Sequence, residues 1–255
     1  MPGPSFLPMA AAVFTGGAFI FPVFEMYVAA GASGLVALGF VLAWLWTGTA
    51  RQPEKPSKDV GLGLKLPLYA SGPKSVGWWA MFITMIGDMT AFSSLVLGYF
   101  FFWTIHEDFP PDPSIGPGWE WPLLAVVLLL GSWALTRWSR TLNRQRPAAW
   151  FHVCMAAAVM LAVAGGAALV AGPWMAGMDP TEHAYPATVW VLAGWTAAHV
   201  CAGVIMQLYC VARRLAGRMT ATHDIDIHNV TLYWHFVAIT ALVTVAVIGG
   251  FPLLA

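Results

Sequence analysis

The residue with the most chemistry to offer is Asp88, which interrupts an apolar stretch running from Phe82 to Trp103 (FITMIGDMTAFSSLVLGYFFFW). A carboxylate in such a stretch has two uses. It can exchange protons or hold a polar ligand, or it can act as fixed polar glue, hydrogen-bonded to Thr84 one turn earlier or to a facing helix. His199 and His235 also lie inside apolar stretches, with Thr196 one turn from the first. A haem pocket or copper site needs imidazoles that converge, typically a pair at i and i+4. No two of the seven histidines are three or four residues apart. His199 and His235 therefore read as hydrogen-bonded bundle residues, His152 and His228 as openers of helices, and His106, His183 and His223 as residues of loops or ends. Cys154, Cys201 and Cys210 are odd in number and lack CxxC spacing, so they form neither a disulfide framework nor a zinc site. They read as small polarizable residues between helices. No P-loop, GxSxG elbow or HExxH string is present.

The elements that carry these residues follow from composition. Apolar residues make up 59% of the 255 and charged residues 9%, against about 25% charged in a soluble domain. So few charges cannot coat a globule in water. A zero net charge without a basic patch excludes nucleic-acid binding. Seven stretches are long enough to cross a hydrocarbon core of about 30 Å, which takes roughly 20 residues of helix. They lie near 6–24, 26–47, 77–104, 121–142, 149–172, 187–212 and 229–254, and nothing resembles the alternating strands of a closed barrel. The first begins without a charged n-region or cleavage site and reads as a retained helix. Asp88 falls 11 residues into the third stretch, about 16 Å deep and near the midplane. A carboxylate there costs at least about 2.5 kcal/mol to insert, which makes it a functional candidate by default.

Every basic residue lies on one side of these spans. Arg51, Lys55, Lys58, Lys65 and Lys74 follow the second, Arg137, Arg140, Arg144 and Arg146 flank the junction of the fourth and fifth, and Arg213, Arg214 and Arg218 follow the sixth. The opposite side carries Glu25, Glu107, Asp108, Asp112, Glu120, Asp179 and Glu182 and no base. The positive-inside rule then puts the amino terminus in the cytoplasm and the carboxyl terminus outside. The expected architecture is an all-α transmembrane bundle of seven helices, two plus five: a two-helix unit over 1–48, a cytoplasmic linker over 49–76 whose prolines and glycines forbid a continuous helix, and a five-helix bundle over 77–255. Trp78, Trp79, Trp103, Trp119, Trp121, Trp174 and Trp190 fall near span ends as interfacial anchors. Gly87, Ala91, Ser94 and Gly98 in the third span, and Ala158, Ala162, Gly165 and Gly166 in the fifth, form ridges of small residues where helices are expected to approach closely.

Two strings carry a family resemblance. Phe82 to Trp103 resembles the third helix of haem-copper oxidase subunit III, where an acid follows a small residue and precedes an aromatic-rich half. Asn229 to Val237 (NVTLYWHFV), with Tyr233, Trp234 and His235, resembles the start of that family's last helix. Ala197-Ala198-His199-Val200 falls where the family carries a His-Val pair. The likeness covers about residues 77–255, with the first two helices matching by position. Departures are specific: the family's deep acid is usually Glu after Ser, here Asp88 after Gly87, and Ala238 stands where Asp usually follows WHFV. The ending is more similar to the subunit III portion of oxidases in which subunits I and III are fused.

The resemblance implies an accessory chain of a proton-pumping terminal oxidase in a bacterial cell (inner) membrane, with no active site or cofactor of its own. It implies catalytic subunit I and subunit II as partners, haem and copper in the partner, phospholipid bound in the cleft between the two helix groups, and support for assembly and proton uptake during oxygen reduction. Asp88 would be the intramembrane carboxylate of that role, with His199, Tyr233, Trp234 and His235 as motif positions. Linker Arg and Lys would meet anionic headgroups, or serve topology alone. The same residues admit a proton-coupled transporter using Asp88, a subunit III-like protein of a quinol oxidase or nitric-oxide reductase, or a lipid-organising membrane protein.

Overall fold

In a computed structural model, residues 5–48, 57–66, 75–110, 116–144 and 149–253 are described. Arg51, Lys55, Lys74, Asp112 and Arg146 lie outside the described residues. Among those described, seven helical segments are long and apolar enough to cross a membrane. The chain is a multi-pass membrane protein, and its helices fall into two compact units, Met1–Pro53 and Glu54–Ala255.

The first unit is a helical hairpin of α1 (Leu7–Ile20), extended by a 3-10 turn over Phe21–Phe24, and α2 (Tyr27–Gly48). Glu25 makes the reversal in a left-handed conformation, φ 59°, with its N–H donating to the Pro22 carbonyl at 3.0 Å. Close approach depends on Gly17, where a Cβ would come 2.6 Å from Ser33 Oγ. Phe14 stacks on Phe40 at 5.6 Å between centroids.

The second unit begins with a two-stranded ribbon, β1 (Lys58–Asp59) against β2 (Lys65–Leu66), where the sequence suggested only irregular linker. Five helices follow: α3 (Val76–Ile105), α4 (Glu120–Leu142), α5 (Ala149–Met175), α6 (Ala184–Leu215) and α7 (Ile225–Val245). α7 continues through a wider π turn over Ala246–Gly250. Ser75 caps α3 by accepting from the Trp78 N–H at 3.3 Å, and Arg213 and Arg214 sit in the last turn of α6, where the helix dipole favours cations. Two boundaries depart from the expected ones for a physical reason. α6 starts at Ala184 because Pro186 is tolerated in a first turn, whose N–H groups have no helical partner. α7 starts at Ile225 because Asp226 and His228, too polar to count toward an apolar run, are paired there with other residues.

α7 is the central helix, packed on α3, α4 and α6, and α4 and α5 form the most extensive helix pair. The ridge of α5 works as expected. Ala158 and Ala162 are fully buried, a Cβ at Gly165 would stand 2.8 Å from Leu129 Cγ and 3.2 Å from the Ala125 carbonyl oxygen, and one at Gly166 would meet Val200 at 3.2 Å. The ridge of α3 does not. Gly87, Ala91 and Ser94 are exposed, and nothing lies within 4 Å of a Cβ at Gly87 or Gly98. α3 instead buries Met85, Phe92 and Tyr99, a seam of heptad spacing on another face. Trp79, Trp103, Trp119, Trp121 and Trp174 are exposed near helix ends, Trp78 is half-buried, and half-buried Trp190 donates Nε1–H to the Met178 carbonyl at 2.7 Å. Cys154 and Cys210 are buried between helices, but Cys201 is exposed on the surface of α6, contrary to the expectation for it. A side chain that small costs nothing to leave facing an apolar surround.

Candidate functional site

Asp88 lies on the edge of the α3 seam, one turn after Met85 and one turn before Phe92, and is half-buried. The Thr84 hydroxyl donates to the Ala80 carbonyl at 3.0 Å rather than to Asp88. α3 packs on α7, the helix that carries Tyr233. Tyr233 is itself fixed: it is 5% exposed and its hydroxyl donates to the His199 carbonyl of α6 at 3.0 Å.

His199 sits on this same junction. Its Nδ1 is 2.8 Å from the Trp195 carbonyl, and because a carbonyl only accepts, Nδ1 carries the proton. The ring lies between Trp195 (4.6 Å between centroids), Phe236 (5.3 Å) and Tyr233 (6.4 Å). Thr196 does not bond it. That hydroxyl faces the other way and pairs with Thr244 at 2.8 Å, tying α6 to α7. The fold thus joins His199 of α6 to Tyr233 of α7, with Asp88 on α3, which packs on both helices.

Trp234 and His235, the next residues of the same string, point elsewhere. Trp234 is fully buried against α6, and a Cβ at Gly203 would stand 3.1 Å from its indole. His235 bonds its Nδ1 to the Thr231 carbonyl and meets Trp133 of α4 edge-on at 5.6 Å. Consecutive side chains are about 100° apart on a helix, so one string serves three neighbours. Among the described residues, no group of three or more His, Cys, Asp or Glu is placed to hold a metal ion.

Sequence reading missed two further constellations. Ser132, Thr136, Ser139 and Asn143 are buried along one face of α4 at spacings of four, three and four. Ser132 donates to the Ala158 carbonyl of α5 at 2.8 Å, and Thr136 to the Ser132 carbonyl at 2.8 Å. Both hydroxyls therefore accept from Gln207 Nε2 of α6, at 3.3 and 2.7 Å. Gln207 is fully buried, and its Oε1 has no hydrogen-bond partner among the described residues. Uncharged polar residues stand out less in an apolar stretch than acids and histidines do, yet their i, i+4, i+7, i+11 spacing within GSWALTRWSRTLN is legible.

The second is a charged cluster where α4 and α6 end and α7 begins. Arg144 of the α4 end pairs with Asp224 at 3.2 Å, and His228 Nε2 reaches the same oxygen at 3.2 Å. Asn143 donates to the Thr220 carbonyl at 3.1 Å. Arg213 pairs with Asp226 at 2.7 Å, with Arg213 5% exposed, and its guanidinium lies 5.6 Å from the Tyr209 ring centroid. Burial alone would raise the Asp224 carboxyl, but the bonds and charges of His228 and Arg144 outweigh it and hold Asp224 below the usual carboxylate range. At the opposite end of the bundle, fully exposed Asp179 is also lowered, because Thr181 donates to it from hydroxyl and backbone.

Comparison with known proteins bears on the helices that carry these residues. The family model for cytochrome c oxidase subunit III matches residues 79–248. Among curated relatives, cytochrome c oxidase subunit 3 of Myxine glutinosa is 25% identical over 154 residues, 56% of this chain and 59% of that one. The Triticum aestivum protein of that name is 26% identical over 165 residues, 59% of this chain and 61% of its own length. The Lumbricus terrestris protein is 27% identical over 177 residues, 62% and 64% respectively. The match thus spans about three-fifths of the length of these relatives.

Proposed function

Since this chain belongs to the cytochrome c oxidase subunit III family, we propose that it is the accessory, cofactor-free subunit of a proton-pumping haem-copper terminal oxidase in a bacterial cell membrane. Haem, copper and oxygen chemistry belong to subunit I and subunit II beside it. This chain supports their assembly, holds phospholipid, and sustains proton uptake. The observation that carries the reading is that the matched region contains an intramembrane acid on α3 and, on the helices α6 and α7 that pack against it, a fixed histidine and a fixed tyrosine.

The chemistry of that junction is restricted. With Nδ1 of His199 donating to a backbone carbonyl and the Tyr233 hydroxyl donating to another, both groups are held in one orientation. Among the described residues, no hydrogen bond ties the Asp88 carboxylate. It is suited to exchanging a proton or to orienting a lipid or water beside α3, and Tyr233 and His199 keep the surrounding backbone rigid while it does so. His199 and His235 each have Nδ1 engaged by a carbonyl of their own helix, which fixes the orientation of the ring.

The test is an oxidase preparation with and without this chain. Removing the chain leaves initial oxygen reduction in place but shortens the lifetime of turnover and lowers the tightly bound phospholipid. Unchanged turnover, lifetime and lipid content without the chain would refute the supporting role.

A further inference from the structure

The linker ribbon ends in a tip with an unusual backbone. Gly61, Leu62 and Gly63 all have positive φ, 95°, 54° and 75°. Glycine adopts that region freely, but a bulky side chain such as leucine is an outlier there. The turn is nevertheless closed on itself. Asp59 Oδ1 accepts from the Gly61 N–H at 2.8 Å, Leu64 N–H donates to the Gly61 carbonyl at 3.0 Å, and Val60 N–H donates to the Leu64 carbonyl at 3.0 Å. This geometry holds Leu62 out with its side chain wholly exposed. Val60, Leu64 and Leu66 are exposed as well, alternating with Gly61, Gly63 and Lys65. Lys58 and Lys65 stand at the ribbon's base and are exposed, with Lys58 facing Leu66 and Lys65 facing Asp59 across the ladder.

A left-handed leucine between two glycines, presented on a self-closed turn, is what water alone would select against. Backbone held in such a region by its own surrounding bonds is found preferentially at functional sites. We propose that the ribbon is a membrane-interface anchor. Leu62 and its apolar neighbours enter the acyl-headgroup boundary of the leaflet on the basic side of the protein, and Lys58 and Lys65 engage anionic lipid headgroups around them. Charge fixes the choice of occupant. Residues 49–76 carry five basic and two acidic side chains, and such segments are drawn to anionic leaflets, with lysine stems lying along apolar surface while the ammonium groups stay wet. Reach permits it. Lys58 is ten residues from the end of α2 at Gly48 and Leu66 is nine from Ser75, so the ribbon stays within about 35 Å of both helix ends even with the chain fully extended. The anchor needs no oxidase partner, so it stands or falls separately from the accessory role.

The experiment uses the full chain carrying Leu62→Cys in a Cys201→Ser background, because Cys154 and Cys210 are buried. An environment-sensitive nitrobenzoxadiazole label at position 62 is read in vesicles of phosphatidylcholine alone and of phosphatidylcholine with phosphatidylglycerol. The expected result is a blue-shifted emission, quenching by shallow doxyl lipid, and severalfold protection from acrylamide in the anionic vesicles. All three signals weaken at high salt, where exposed charges are screened, and in Lys58→Gln/Lys65→Gln, where the charges are gone. A label that remains open to acrylamide in both vesicle types overturns the proposal. So does protection that arises only when the chain is part of the assembled oxidase, which would assign the tip to a protein surface.

Discussion

At Asp88 the distinction between a working carboxylate and a packing residue comes down to one charge in a nearly constant volume. Asp88→Asn keeps the shape, so assembly persists, while oxidase lifetime or tightly bound phospholipid falls severalfold. Normal turnover, lifetime and lipid would make the residue packing alone. At Gln207 the expected order of effects follows from which polar atoms are left stranded. Thr136→Val removes the closest acceptor of Gln207 Nε2 and leaves a buried donor unpaired, a loss of about 1–3 kcal/mol. Gln207→Leu removes that donor together with Oε1, which has no partner among the described residues, and Ser132 and Thr136 keep their own bonds to carbonyls, so it costs less than Thr136→Val. Thermal unfolding of the purified chain gives the ranking. Asp88 announced itself in the sequence because a charge among apolar residues is conspicuous. Gln207 did not, because an amide is not, and only the opposite helix shows why it is there.

At the scale of elements, glycines of like appearance separate by what faces them. Gly165→Ala forces its Cβ into Leu129 and toward the Ala125 carbonyl, an overpacking worth about 1–3 kcal/mol. Gly87→Ala meets open space and leaves the stability of the chain unchanged or slightly raised, because alanine is the better helix former. The same thermal assay on the two variants checks both. Helix existence was legible in the seven apolar runs, and the ridge of α5 with it. Which face of α3 turns inward was not, since small residues at helical spacing fit a packed seam and a free surface equally. Burial of Met85, Phe92 and Tyr99 decided it, and that depends on the facing surfaces of α6 and α7. The charged cluster was hidden for a related reason: Arg144 and Arg213 count toward topology in a sequence, while their pairing with Asp224 and Asp226 joins segments far apart in the chain.

For the molecule as a whole, that cluster links stability to acidity. Asp224 titrates below its unfolded value, so its contribution is present above about pH 4, where an unfolded aspartate is ionised. It is lost as the pH falls further and the folded carboxyl takes up its proton. Unfolding temperature should drop in that acid range, and less steeply in Asp224→Asn. Orientation is the other molecular property, and it rests on charge: all twelve basic residues fall on one side of the seven spans. Single cysteines at Lys65 and Glu182 are therefore expected to be labelled from opposite faces of sealed vesicles, and labelling from one face would undo the helix count. The accessory role itself is tested most directly by affinity purification of the tagged chain from its native membrane, followed by a visible spectrum and identification of the co-purifying subunits. The account predicts a haem-bearing partner in the complex and no haem absorbance from the separated chain. A chain that comes away without a haem protein, or that binds haem in equal amount by itself, would contradict it.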